Sequence, residues 1–498
     1  MTDYFEHKFV KPNAIEAREY QINLANQAIR ENCLVVLPTG LGKTTVALQV
    51  IAHYLSKGAG GVLFLAPTRV LANQHYEFLK NNMNLEDVAL LTGEDTLTKR
   101  KKLWVNSVIC ATPEVTKNDL DREIVSTEQF SLVIFDEAHR TIGDYAYSAI
   151  AQKFAQTSTR IMGMTATLPS EKEKATQIIT TLNIASVAQR NEESPDVKPY
   201  IQETTTEWIK VELPQEMKEV QYYLRRALET QYGQLQRCGL RLGSNSSLTQ
   251  LLRARDFVIR QNRRAAKPLF TAIRLHYALN ILESHGITSF LRFCDRTREK
   301  KGVGIKDLFE NDSDFIKAIA YAKDAQKKGI EHSKIVKLAE IIKSIQGKAI
   351  VFTSYRDSVE IIHDKLVELG VSAGYLIGKA GEKGLKQKQQ IKTVQDFRDG
   401  VYDVLIATRV GEEGLDISEV NNVIFFDNVP SSIRFVQRKG RTGRKSVGRL
   451  IVLIAKGTID EAYYWVGQRK MKAAAGMGEK LTKDLQKQQS KSVLDAYF

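Results

Sequence analysis

Nine short apolar runs constrain this chain more than any other feature, because each is four or five residues long and almost free of polar side chains. Five lie in the first part: residues 34–37 (LVVL), 62–66 (VLFLA), 108–111 (VICA), 132–135 (LVIF) and 161–164 (IMGM). Four lie in the last part: 349–353 (AIVFT), 404–407 (VLIA), 423–426 (VIFF) and 450–454 (LIVLI). A strand with one wet face alternates apolar and polar residues; a continuous run is what burial on both faces of a parallel sheet requires. Helical patterns separate the runs, so each group reads as βαβ units. The fold class is α/β, with two parallel-sheet lobes and a mostly helical insert between them. Residues 1–204 form the first lobe, 205–334 the insert, 335–465 the second lobe, and 466–498 a Lys- and Gln-rich tail expected to fray. A length of 498 residues suits about three domains at ~150 residues each.

A chain 43% hydrophobic and 26% charged is neither disordered nor fibrous. It contains no apolar run long enough for a membrane span, and residues 1–12 lack the apolar core of a secretory signal. Cys33, Cys110, Cys238 and Cys294 are widely spaced, which suits reduced thiols in a cytoplasmic protein. The net charge is +14, and residues 221–310 hold 17 Lys or Arg against 7 Asp or Glu. Arg253, Arg260, Arg264 and Lys267 recur at helical spacing and are expected to share one face. With Arg263, this arginine-rich face suits a phosphate backbone.

The segment LPTGLGKTT, residues 37–45, follows an apolar strand and opens a helix, the context a phosphate loop requires. Pro38, Thr39, Gly40, Leu41, Gly42, Lys43, Thr44 and Thr45 make up the loop. Gly40 and Gly42 let backbone N–H groups turn inward, Lys43 places a charge on the β- and γ-phosphates, and the Thr44 hydroxyl suits Mg²⁺. Leu37 stands where the general GxxxxGKS/T pattern has glycine. The segment LVIFDEAH, residues 132–139, delivers two carboxylates to the end of a strand. Asp136 suits the metal, and Glu137 suits the general base on the attacking water. In the other lobe, QRKGRTGR (437–444) offers Gln437, Arg441 and Arg444 to an interlobe cleft. ATP and Mg²⁺ are the expected cofactors.

These motifs, in this order, resemble those of superfamily 2 helicases, and that resemblance implies RecA-like lobes. It further implies that Arg18 and Gln21 contact adenine, and that Gly414 and Asp416 of GEEGLD join the ATP site. Nucleic-acid contacts are implied for Pro67, Thr68 and Arg69, for Thr92 and Gly93, for Thr112 and Pro113, and for Thr353, Arg356 and Thr408. Thr165 and Thr167 of TAT would couple hydrolysis to movement. The segments FDEAHRTIGDYAY, VPSSIRFVQRKGRTGR and GTIDEAYYW are similar to archaeal Hef helicases and their eukaryotic relatives, the Fanconi anaemia group M translocases. That family usually has TAS where this chain has Thr165–Ala166–Thr167, and ATS where it has Ala407–Thr408–Arg409. The resemblance implies an ATP-dependent DNA helicase or translocase on forks and four-way junctions in replication-fork repair. An RNA-directed helicase of Dicer or RIG-I type is the alternative. A non-enzymatic junction clamp would have no need of Lys43, Asp136, Glu137, Arg441 and Arg444. At the end of the chain, Leu494, Tyr497 and Phe498 resemble the peptide by which archaeal replication proteins dock on the sliding clamp PCNA, although Lys491 stands in place of its glutamine.

Overall fold

The computed structural model describes residues 3–495, except 144–145, 202–203, 245, 379–383, 409–410, 412–419, 430 and 432–447; the side chains of 387 and 488–495 are also left undescribed. Two all-parallel sheets organise it. The first has the order β3-β4-β2-β5-β6-β1-β7. Its strands are β1 (Cys33–Val36), β2 (Gly61–Leu65), β3 (Val88–Leu91), β4 (Val108–Ala111), β5 (Phe130–Phe135), β6 (Arg160–Thr165) and β7 (Ser186–Gln189). The second has the order β10-β11-β9-β12-β13-β8. It comprises β8 (Thr204–Val211), β9 (Ala349–Phe352), β10 (Ala373–Leu376), β11 (Val404–Ala407), β12 (Asn422–Phe425) and β13 (Gly448–Ala455).

Alternate residues of one strand feed opposite cores, which is why the runs are continuous. Cys33 and Val35 pack on one face of the first sheet, Leu34 and Val36 on the other. Ala349 and Val351 divide from Ile350 and Phe352 in the same way in the second. Each fully buried aliphatic side chain contributes roughly 1.5–3 kcal/mol.

Two expectations are corrected. Residues 205–334 are helical except at their start, where β8 pairs with β13 over eight residues and closes the second sheet. Through Asp495 the tail is helical rather than frayed: helices Ile459–Ala475 and Met477–Asp495 carry the chain back to the first lobe. Met477 and Leu481 are buried in that lobe's core. Lys172–Asp484 (2.8 Å) and Lys470–Glu171 (3.5 Å) pair along the seam.

The insert packs helices Gln215–Arg237, Ala266–His285, Ile287–Arg298 and Ser313–Lys327 around one apolar core. Its basic run is not one continuous helix. Helix Leu248–Gln261 stops at Asn262, whose backbone (φ −140°, ψ 66°) leaves the helical region and whose side chain donates to the Cys238 carbonyl at 2.8 Å. Arg253 and Arg260 therefore share a helix, Arg263 and Arg264 sit in a short 3₁₀ turn, and Lys267 opens the next helix, paired with Asp307 at 3.0 Å.

Candidate nucleotide site and strand-facing edge

All strands of a parallel sheet point one way, so the loops that leave their carboxyl ends share one edge, where ligands of such sheets bind. On that edge β1 runs into the phosphate loop, with the Leu37 N–H bonded to the Thr165 carbonyl at the end of β6 (3.0 Å). Gly40 and Gly42 adopt φ of 95° and 83°, a left-handed region that side chains disfavour. A Cβ on Gly42 would also lie 2.4 Å from Gln21 Nε2. Lys43 and Thr44 open helix Lys43–Lys57, and Lys43 Nζ donates to the Leu37 carbonyl at 3.1 Å.

Gln21 is buried and donates from Nε2 to the Leu41 carbonyl (3.0 Å), which also accepts from the Tyr20 hydroxyl (2.8 Å). Its Oε1 is buried with no hydrogen-bond partner among the described residues. Such an orphan acceptor is costly, and the exocyclic amine of adenine would satisfy it, so the residues present fit ATP. Arg18 bonds Glu16 at 2.8 Å and lies 5.3 Å from the Tyr200 ring, beside rather than inside this contact.

Asp136 and Glu137 follow β5 directly. Asp136 is buried, and its Oδ2 accepts from His75 Nε2 at 2.8 Å. Burial would push this carboxyl up, but the bond from His75 and the charge of Lys43 outweigh it and hold the group below the usual carboxylate range. An ionised Asp136 within reach of the Lys43 charge fits a divalent cation. Tyr147 clamps the backbone there, donating to the carbonyls of Asp136 (2.9 Å) and Leu65 (3.2 Å). Glu137 takes a left-handed conformation (φ 50°, ψ 49°), strain of the kind that persists at functional sites. Its Oε2 lies 3.2 Å from His139 Nδ1, but not in hydrogen-bond alignment, and is buried with no hydrogen-bond partner among the described residues. It is thus a carboxylate oxygen with a lone pair to spare. His139 Nδ1 also lies 3.3 Å from the Thr165 hydroxyl, which donates to the Thr167 carbonyl (3.0 Å). A chain of contacts therefore joins the DEAH segment to TAT.

A cavity of about 590 Å³ opens beside Thr44 and His75, walled by helix Arg69–Asn82 of the first lobe and by Ile391, Val394, Gln395 and Arg398 of the second. The two lobes thus face each other across the phosphate-loop side. Gln437, Arg441, Arg444, Gly414 and Asp416 lie outside the described residues.

The expected strand contacts divide into two kinds. Pro67, Thr68, Arg69, Gly93, Thr112 and Pro113 follow β2, β3 and β4 on the shared edge, and Arg69 is exposed and paired with Glu94. The Thr68 hydroxyl also caps helix Arg69–Asn82, accepting from the Leu71 N–H at 3.2 Å. Thr92, Thr112, Thr353 and Thr408 are buried. Thr353 donates to Asp427 at 3.1 Å and Thr408 to the Leu376 carbonyl at 3.5 Å, so these hydroxyls hold loops rather than face a strand. The exposed residue beside Thr353 is Ser354. Arg356 donates to the Gly378 carbonyl at 2.8 Å. In the insert, Arg253, Arg260, Arg263 and Arg264 are all exposed and without a carboxylate partner among the described residues, whereas Arg225, Arg226, Arg292 and Arg296 are paired. Leu494 belongs to the last helix, its side chain undescribed, and Tyr497 and Phe498 lie outside the described residues. His75, Tyr147 and Asp427 were not singled out from sequence: lone residues on a helix or after a strand carry no motif until the fold brings them to the carboxylates and hydroxyls they bind.

A DEAD/DEAH box helicase model matches residues 18–175, and a helicase conserved C-terminal domain model matches 333–446. The crystal structure of the Pyrococcus furiosus Hef helicase domain is similar at a TM-score of 0.68 and 38% identity, over 90% of this chain and 97% of that one. A Methanocaldococcus jannaschii protein provisionally named an ATP-dependent RNA helicase is 37% identical over 477 residues, 93% of this chain and 60% of the relative. The Fanconi anemia group M protein homolog of Mus musculus is 32% identical over 518 residues, 91% of this chain but 25% of that protein. The chain therefore spans only part of these two relatives. No described helix is long and apolar enough to cross a membrane.

Proposed function

This chain belongs to the Hef family of superfamily 2 helicases, and on that premise we propose that it is an ATP-driven DNA motor acting on forks and four-way junctions. The observation that carries the reading is the DEAH carboxylate pair. Asp136 is held ionised by His75 and Lys43, and Glu137 keeps a buried oxygen without a hydrogen-bond partner among the described residues, both on the edge that carries the phosphate loop. Lys43 and the loop N–H groups bind the β- and γ-phosphates, and Gln21 orients the adenine. Mg²⁺, held by Thr44 and Asp136, would neutralise phosphate charge. Glu137 accepts the proton of the attacking water. Arg441 and Arg444, from the sequence of the second lobe, are assigned the transition-state charge; arginines supplied this way raise turnover by roughly 10³–10⁵ in related hydrolases.

Arg253, Arg260, Arg263 and Arg264 of the insert supply phosphate contacts for the branch in this reading. Leu494, Tyr497 and Phe498 dock on PCNA in this reading, tested by calorimetry against a chain ending at Ser490. The main test is ATP turnover with single-stranded, duplex, forked and four-way DNA and with matched RNA. Branched DNA is expected to stimulate most. Equal or greater stimulation by RNA would replace this reading with the RNA-directed one.

A further inference from the structure

Helix Arg69–Asn82 makes contacts of two kinds, one at its start and one at its middle. It starts at Thr68 and Arg69, on the strand-facing edge, with Thr68 capping it through the Leu71 N–H at 3.2 Å. Less than two turns later it places His75 against Asp136. Both side chains of that pair are 6% exposed, and the Nε2–Oδ2 distance is 2.8 Å. A carboxylate only accepts, so Nε2 carries the proton and donates. Nδ1 is buried with no hydrogen-bond partner among the described residues. The Phe64 ring, its centroid 4.3 Å from that of the imidazole, restrains it from β2. The imidazole is thus held in place relative to its own helix, and the contact moves with the position of that helix. Val70 of the same helix packs against the apolar cluster of the second lobe, so that position responds to the other lobe as well.

We propose that His75 is a positioning residue for the metal-holding carboxylate of Asp136, and that through it the set of that carboxylate follows a helix anchored at the strand-facing edge. The proposal rests on the reading of Asp136 as a Mg²⁺ ligand. Partners that hydrogen-bond a ligating group are typically worth 10- to 100-fold in metal affinity. Here the imidazole, bonded to Oδ2 at 2.8 Å, fixes the carboxylate's rotation. Movement of Thr68–Arg69 on binding a strand would be carried along a rigid helix to that bond.

The test is a Mg²⁺ titration of fluorescent ATP-analogue binding, with and without saturating single-stranded DNA. His75→Leu is expected to raise the half-saturating Mg²⁺ concentration about ten-fold, while affinity for the analogue without Mg²⁺ stays unchanged. His75→Gln, whose amide can put an N–H where Nε2 stands, is expected to stay within about three-fold of the parent. DNA should lower the midpoint in the parent and in His75→Gln but not in His75→Leu. If His75→Leu fails to fold, His75→Asn, too short to reach, takes its place. A midpoint unchanged in the reach-less variant overturns the positioning role, and an equal DNA shift in all variants overturns the link to the edge. A parent whose analogue binding ignores Mg²⁺ overturns the metal reading of Asp136, and this inference with it; that outcome is read from the parent alone.

Discussion

Replacing Lys334 by Met should unfold the second lobe far more readily. Its ammonium is wholly buried, 2.9 Å from Asp460 Oδ2 and 2.9 Å from the Phe426 carbonyl, and Asp460 is 1% exposed. The pair ties helix Ser333–Ser344, the residue after β12 and helix Ile459–Ala475 together. Removing one partner of a buried ion pair costs about 3–5 kcal/mol, because the other charge stays buried. Asp460 keeps three donors, the Asn428 N–H (3.0 Å) and side-chain amide (3.2 Å) and the Ala455 N–H (3.0 Å), which places the expected loss near 3 kcal/mol at the lower end of that range. For a unit of this size that lowers the midpoint by about 6–12 °C. Adding Asp460→Asn removes the uncompensated charge while keeping most of those acceptor contacts, so the double variant should regain about 1–2 kcal/mol. Urea unfolding followed by tryptophan fluorescence reports on it, since Trp208 and Trp465 sit on β8 and on helix Ile459–Ala475. A loss below about 1 kcal/mol in Lys334→Met, or a double variant no more stable than the single, would refute the electrostatic argument.

Glu137→Gln should bind ATP normally and lose at least about 100-fold in kcat, whereas Lys43→Ala should weaken nucleotide binding; analogue titration and turnover separate the two. Replacing Arg260, Arg263 and Arg264 by Ala should make fork binding less salt-sensitive, by about one unit of log–log slope for each phosphate that the protein no longer neutralises, with DNA-free turnover kept. Acid should destabilise the insert–lobe junction. Burial pushes His285 down to about 4 and His332 down to about 3, so the folded protein keeps both neutral while the unfolded chain takes up those protons below pH ~6.5. Stability is then full above pH ~6.5 and falls as the pH drops toward 4, measurable as a falling urea midpoint; a flat profile between pH 7 and 5 would count against it.

Arg296 offers a further measurement. It bridges the insert to the second lobe, bonding Asp357 (2.6 Å) and the Tyr355 hydroxyl (2.9 Å). Arg296→Ala should cost about 1.5–3 kcal/mol of second-lobe stability, as hydrogen bonds to charged groups do, and Arg296→Lys should recover part of it.

What the sequence determined by itself was the interior of each sheet. All nine runs are strands, and every one lies between two neighbours. None of the nine runs falls on β3, β7, β8 or β10, and those four are the outer strands of the two sheets. For β8 the reason is burial: an inner strand is covered on both faces and flanked on both sides, whereas every β8 residue is half-buried or exposed; β3 (VALL) is apolar and largely buried even at an edge. The phosphate loop and the DEAH pair were legible because their chemistry needs a fixed local spacing next to a strand end. Tertiary structure alone decided what depends on distance through space. It brought His75 to Asp136 across 61 residues of chain, turned the Thr353 hydroxyl inward to Asp427, broke the arginine helix at Asn262, and folded the polar tail onto the first lobe through Met477 and Leu481. Met477, Leu481 and Leu485, set among the Lys- and Gln-rich turns of helix Met477–Asp495, are a thin signal from which to read a docking face, and a lone histidine declares its role only when the fold supplies the carboxylate.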